Sequence, residues 1–364
     1  MKEIHAARRE KLRREMRRCG LDALLISHDA NRFYLSGFEL HDTQYNDSSG
    51  RLVITGDGRD WLATDSRYVA AAARLWDTDR IFECKNQIRD MSALLRHCGT
   101  RIGLESHGVS MAFARELGKA GGLFLQAADG LVERLRCVKG PEEIAALETS
   151  FALNHKMLTW LEQSLAADGA LLSGMREADL AWAVERFFRE NGARELAFPV
   201  IAATCKNSAL PHAPPGDDRL AEGCHVLVDA GCRVDDYCSD QTRTFWLGEK
   251  FGSAWSRFER VYALVREARE AALKKLRPGM TGREAYSLAR GVFKRAGVED
   301  AFIHGLGHGI GLETHEAPTL SPHNERPLEV GMVVTVEPGL YYPEWGGVRL
   351  EYTVALEENG ARIL

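Results

Sequence analysis

Five ionisable side chains interrupt short apolar runs in the second half of this chain, and any fold it adopts has to accommodate them. They are Asp229 in VLVDAG, Asp240 in CSDQTRTF, His308 in HGLGHGIG, Glu337 in VVTVEPG and Glu351 in GVRLEYTV. A charged group in such a run is unfavourable unless hydrogen bonds or an opposite charge compensate it. Four carboxylates brought together repel strongly, and two divalent cations among them would cancel that charge. An oxygen-rich set with one imidazole suits a hydrolytic pair of metal ions.

Asp229 and Asp240 form the best-defined pair. His225 to Gly231 and Cys238 to Leu247 both read as strands, with Val234 and Asp235 midway between the aspartates. In a hairpin centred there the two residues face each other on one side, with Cβ atoms ~4.5–5.5 Å apart. Like charges so opposed destabilise a hairpin unless a cation bridges them. Singly, either aspartate reads equally well as a turn or helix cap. Glu337 and Glu351 repeat the pattern across a longer connection, with a structural bridge from Arg349 as the competing reading.

His304, His308 and His315 share a segment with Gly305, Gly307, Gly309 and Gly311. That much glycine excludes a stable helix interior, so the spacing is not a helical zinc pair. A dinucleotide loop fails as well, because Ile310 stands where GxGxxG requires its third glycine. Glycine here serves close approach of backbone to a ligand. His212, in LPHAPP, is isolated in a proline-rich loop.

Length and composition set the frame. A chain of 364 residues, 45% hydrophobic and 27% charged, accommodates two ordinary globular domains. A net charge of −5 and a pI near 6.2 give no reason to expect a nucleic-acid partner. No apolar run approaches the ~20 residues that span a bilayer, and no membrane association is expected. The N-terminal MKEIHAARREKLRREMRRCG carries eight basic and three acidic residues without an apolar core, so it reads as a solvated first helix rather than a secretory signal. Eight cysteines without a CxxC or paired spacing fit reduced thiols and a cytoplasmic location.

Residues 1–133 alternate strand-like and helix-like segments, an α/β layer arrangement, with a hairpin signal at Gly56-Asp57-Gly58. Asp65 and Arg67 read as a capping and pairing device. Gly140-Pro141-Glu142-Glu143 opens a long helix to about Ala167, inside a second domain covering 138–364. Another helix covers Arg176 to Asn191 and stops at Gly192. Strand-like segments dominate from Phe198 onward, with helical stretches near 253–276 and 282–296.

At these residues the chain resembles the metallopeptidases of the aminopeptidase P, prolidase and methionine aminopeptidase superfamily. D-x10-D, HGLGHGIGLETHE, TVEPGLY and GVRLEYT occur in that family's order. The resemblance implies an α+β protein: a C-terminal pita-bread domain behind an N-terminal α/β creatinase-type domain. It implies Asp229, Asp240, His308, Glu337 and Glu351 as ligands of two divalent ions per chain, with Mn2+ first and Co2+ or Zn2+ as alternatives. His212, His304, His315 and Arg349 match substrate-contacting or supporting positions, with His212, His315 and Glu337 in catalytic roles. Two departures stand out: Cys205 occupies a position that is often glycine, and Tyr352 one that is often acidic.

The implied reaction is attack of a metal-bridging hydroxide on an Xaa-Pro bond, with Glu337 carrying the proton to the leaving nitrogen. The implied substrates are peptides with proline second, which makes the chain an Xaa-Pro aminopeptidase. A dipeptidase of the prolidase type is the near alternative, and a catalytically inactive binding protein on the same fold the distant one. A homodimer is expected by resemblance only.

Overall fold

The computed structural model of the chain describes residues 2–42, 48–166 and 174–364. It divides into two compact units, Met1–Arg136 and Cys137–Leu364.

The first unit is built on a six-stranded mixed sheet. Its strand order is Ile81–Glu83, Trp61–Thr64, Arg51–Thr55, Ala23–Ile26, Arg101–Leu104, Phe124–Ala127. The hairpin at Gly56-Asp57-Gly58 forms, with Leu52 opposite Leu62 and Gly58 at a left-handed φ of 87°. Asp65 accepts from the Arg67 backbone N–H at 2.8 Å and pairs with its guanidinium at 2.8 Å.

The first helix, Lys2–Arg18, is docked rather than merely solvated. Leu12 and Met16 are fully buried along one face. Arg8 lies over the Tyr34 ring, and Arg9 and Arg13 both pair with Asp60. The basic residues are thus partly structural, because their long stems cover apolar surface while their heads find partners.

Two sheets of the second unit are each backed by two helices, and a small third sheet joins Tyr237–Cys238, Cys232–Val234 and Glu195–Leu196. Strands Gln241–Trp246, His225–Ala230 and Ile201–Thr204 form one sheet. The other runs Glu316–Leu320, Gly307–Gly309, Val333–Val336, Tyr352–Glu357, Gly360–Ile363. A separate two-stranded ribbon pairs Gly339–Tyr342 with Gly346–Arg349. Strand alternation sorts the side chains. Val226, Val228 and Ala230 enter the core beneath helices Pro141–Ala166 and Glu177–Glu190, while Asp229 takes the opposite face. Val334, Val336, Val354 and Leu356 pack instead with Phe258 and Phe293 of helices Gly252–Lys275 and Gly282–Arg295. The long helix from Pro141 is described to Ala166, and its expected last residue lies outside the described residues. Gly192 carries a left-handed φ of 102° just past the second helix.

One register differs from the sequence expectation. Asp229 lies opposite Thr242, not Asp240. The turn sits at Asp235 and Asp236, both at positive φ (49° and 68°), one position later than expected. Aspartate tolerates the left-handed region well enough to supply such a two-residue turn. The pairing moves by two residues in all, so Asp240 stays on the face of Asp229 as its diagonal neighbour.

The thiols are a second correction. Cys205 and Cys224 form a disulfide with Cα atoms 5.7 Å apart, while six cysteines are free. Sequence spacing gives no sign of this pair, which the fold brings together where the turn after strand Ile201–Thr204 meets the start of strand His225–Ala230. The pairing removes the thiol argument for a cytosolic location. Among the described residues, no helix is long and apolar enough to cross a membrane.

Candidate metal centre

Strand geometry delivers the acids to one place. Val333–Val336 pairs with Tyr352–Glu357, and the ribbon beyond continues in the same register, with Gly339 opposite Arg349. Glu337 and Glu351 therefore fall opposite each other in the break between the two ladders. Asp229, Asp240 and Glu351 each present an oxygen within 4.8 Å of the others, and all three are buried. His308 completes the group, its Nε2 lying 3.2 Å from Glu337 Oε1 and 3.6 Å from Asp240 Oδ2.

Neighbouring polar groups fix each member. Thr242 Oγ1 donates to Glu351 Oε2 at 2.8 Å, and Thr335 Oγ1 donates to Glu337 Oε1 at 3.0 Å. The His308 backbone N–H donates to Thr335 Oγ1 at 3.0 Å. Gly307 and Gly309 let this segment lie flat between its neighbours: a Cβ on either would sit 2.0 Å from Thr335 O or 2.3 Å from Ala317 O.

Arg349 joins the acidic group to the loop that carries Pro211 and His212. Its guanidinium donates to Asp229 Oδ2 at 2.6 Å, to the Pro211 carbonyl at 3.0 Å, to the Tyr341 hydroxyl at 2.8 Å and to Thr242 Oγ1 at 3.0 Å. The sequence pointed to a bridge with Glu337 or Glu351, whereas the ion pair is with Asp229. Arg349 lines the cavity, yet each of these bonds is to protein.

The electrostatics record crowding. Burial, then the charges of Glu351 and Asp229, pushes the Asp240 carboxyl well above its ordinary range. Burial, then Glu337 and Asp229, pushes Glu351 up to about 8. Burial would also raise Glu337, but the hydrogen bond and charge of His308 outweigh it and hold the carboxyl down to about 2. Burial likewise opposes the charged form of His308, and Glu337 reverses the balance, raising it to about 9. Each neighbour's charge is thus set by another's.

Two buried oxygens, Asp229 Oδ1 and Glu351 Oε1, have no hydrogen-bond partner. A buried carboxylate oxygen without a donor is costly. Two of them within a cluster of acids have the chemistry of a divalent-cation site, so the residues fit the metal that the sequence implied.

A cavity of about 620 Å³ opens onto this group. Asp229, Asp240, His308, Glu337 and Arg349 line it, together with His212, His304 and His315. His304 Nε2 lies 2.9 Å from the Tyr341 hydroxyl, and the His315 ring packs edge-on against His308 at 4.2 Å. Burial lowers the pKa of both His304 and His315. Phe198, Val200, Ile201, Pro214 and Pro215 give the cavity an apolar wall.

Sequence reasoning missed Thr242, Thr335 and Tyr341. The two threonines were legible in principle: each lies two residues from an acid, on the same strand face. The position of Cys205 also gains a physical account. Its φ of 45° is left-handed, a conformation that glycine adopts without strain.

Comparison with known proteins gives the family. Residues 145–358 match the model of metallopeptidase family M24, and residues 8–138 match the creatinase/prolidase N-terminal domain. An Xaa-Pro dipeptidase of Pyrococcus furiosus is 33% identical over 98% of this chain and 97% of its own. A solved Xaa-Pro dipeptidase from Bacillus anthracis is 30% identical with a TM-score of 0.87, covering 99% of this chain and 97% of that one. A solved X-Pro aminopeptidase from Thermotoga maritima is 32% identical with a TM-score of 0.81, covering 96% and 97%. The second unit is a pita-bread domain preceded by a creatinase-type one, and the chain belongs to metallopeptidase family M24.

Proposed function

We propose that this chain hydrolyses the Xaa-Pro bond of dipeptides, as an Xaa-Pro dipeptidase, through divalent ions held by Asp229, Asp240, His308, Glu337 and Glu351. The unpartnered oxygens of Asp229 and Glu351, in an acidic group that reaches a cavity with an apolar wall through Asp229, Asp240 and Glu337, carry the reading. The dipeptidase assignment takes precedence over the aminopeptidase expected from sequence because the relatives named Xaa-Pro dipeptidase match nearly the whole chain. The oxygen-dominated donor set supports Mn2+, with Co2+ or Zn2+ as alternatives.

Divalent ions bound there supply Lewis-acid chemistry, polarising a carbonyl oxygen and lowering the pKa of water. The protein's own groups do the rest. The wall of Phe198, Ile201 and Pro214 receives the proline ring and excludes water. His212 and His315 hydrogen-bond the substrate carbonyl as charge develops on its oxygen. Glu337, ordered by Thr335 and His308, carries a proton to the leaving proline nitrogen. Arg349 orients the Asp229 carboxylate and fixes the Pro211 carbonyl beside His212.

One observation favours cleavage of longer peptides as a second reading. Among the described residues lining the cavity, Arg349 is the only arginine or lysine, and it is already engaged with Asp229. The carboxylate of a dipeptide therefore meets no free arginine or lysine among the described residues that line the cavity. Rates for Ala-Pro and Ala-Pro-Ala in buffer containing Mn2+ separate the two. A higher kcat/KM for Ala-Pro is expected, and a preference for the tripeptide makes the chain an aminopeptidase. Glu337→Ala should abolish turnover of either peptide; wild-type rates in that variant remove its assigned role.

A further inference from the structure

Tyr352 follows the buried Glu351 directly and begins strand Tyr352–Glu357. Two cations lie over its ring. The Arg243 guanidinium carbon lies 4.5 Å from the ring centroid and that of Arg269 lies 4.3 Å from it. Arg243 comes from strand Gln241–Trp246 and Arg269 from helix Gly252–Lys275, so the ring joins three elements.

Neither arginine has a carboxylate within ion-pair distance among the described residues. Arg243 donates to the carbonyls of Thr242 and Glu351 and to Gln241 Oε1. Arg269 Nε is buried without a hydrogen-bond partner. An aromatic face attracts a guanidinium through its quadrupole, and does so more strongly where water is excluded. The Tyr352 ring is thus the acceptor shared by two cations that have no ion-pair partner among the described residues. The bond from Arg243 to the Glu351 carbonyl gives the stacking its consequence, because it ties the arginine to the peptide that aims the Glu351 carboxylate.

We propose that Tyr352 is a positioning residue for Glu351, its ring holding Arg243 in place so that Arg243 clamps the Glu351 peptide and keeps the carboxylate turned toward Asp229 and Asp240. This rests on the reading of Glu351 as a metal ligand. Without the ring, Arg243 and Arg269 lose their common acceptor and repel, Arg243 leaves the Glu351 carbonyl, and the ligand loosens. Groups that orient a metal ligand typically change metal affinity by about 10–100-fold when removed.

The test is calorimetric titration of Mn2+ into full-length protein stripped with a chelator. Tyr352→Leu should weaken Mn2+ binding by about tenfold or more. Tyr352→Phe should stay within about threefold of wild type, because the ring face and not the hydroxyl is the acceptor. Arg243→Gln, which removes the clamp and keeps the ring, should weaken binding in the same direction. If Tyr352→Leu does not fold, Arg243→Gln decides the matter. Wild-type affinity in whichever of these two variants folds overturns the proposal, and so does a loss in Tyr352→Phe equal to that in Tyr352→Leu. Wild-type protein that binds no Mn2+ overturns the metal reading of Glu351 itself, which is a separate failure.

Discussion

Each unit buries carboxylates in an apolar setting, and they are treated in opposite ways. In the first unit Glu105 is 3% exposed, and both its oxygens are met by donors. Ser27 and His28 offer backbone N–H groups to Oε2 at 2.6 and 2.7 Å, and Asn31 Nδ2 donates to Oε1 at 2.8 Å. In the second unit Asp229 and Glu351 each keep one buried oxygen without a donor, and Asp240 lies against both. A buried acid surrounded by N–H groups ties a fold together. Acids that face one another with oxygens unmet are built for a cation. Burial alone does not separate the two cases; the inventory of donors does.

The sharpest way to break this contrast is to remove one acid from the crowded group. Asp240→Asn or Glu351→Gln should reduce Mn2+ affinity by more than about 100-fold, beyond the usual effect of an outer-sphere change. Calorimetry reads the loss, and unchanged affinity would dissolve the distinction between the units.

Proton linkage at Glu105 gives the next largest effect. Burial, resisted by the donors from His28, Asn31 and Ser27, raises this carboxyl from 4.5 to about 7. The folded chain then holds a proton that the unfolded chain releases. The resulting stability is fully present below about pH 4.5 and is lost as pH rises through about 7. The gap corresponds to about 3 kcal/mol. The protection factor at Arg101–Leu104, with intrinsic exchange divided out, should fall between pH 5 and pH 8, and Glu105→Gln should flatten that dependence. A flat profile in the wild type would show that the donors alone keep Glu105 ionised.

A smaller effect sharpens the same contrast. Mn2+ at 100 times its Kd should stabilise the second unit by about 2.7 kcal/mol. Exchange in strand His225–Ala230 should slow, while exchange at Arg101–Leu104 does not respond. Equal slowing in both units would mean that the ion acts on the chain as a whole.

Much of the site was legible because its signal is local. An acid or histidine inside an apolar run can be seen without knowing its partners, and Asp229, Asp240, His308, Glu337 and Glu351 were all visible in that way. What was not legible depends on long-range geometry. The hairpin register turned on whether Val234-Asp235 or Asp235-Asp236 makes the bend, and two adjacent non-glycine residues at positive φ are a weak signal. The Cys205–Cys224 disulfide needed the fold to bring two unremarkably spaced thiols together. The sequence offers Arg349 its two neighbouring glutamates, Glu337 and Glu351, and the packed structure selects Asp229 instead. The docked first helix was hidden because Leu12 and Met16 are sparse among many charges.

The unbroken register between strand Val333–Val336 and the ribbon Gly339–Tyr342 works as a gauge for Glu337 and Glu351. Extra residues can enter at the tip, between Tyr342 and Gly346, and leave the spacing of the two glutamates untouched. A single residue lost from one arm alone would turn one glutamate away from the other. Length variation in this part of the chain is therefore confined to the tip, or must occur in matched steps on both arms.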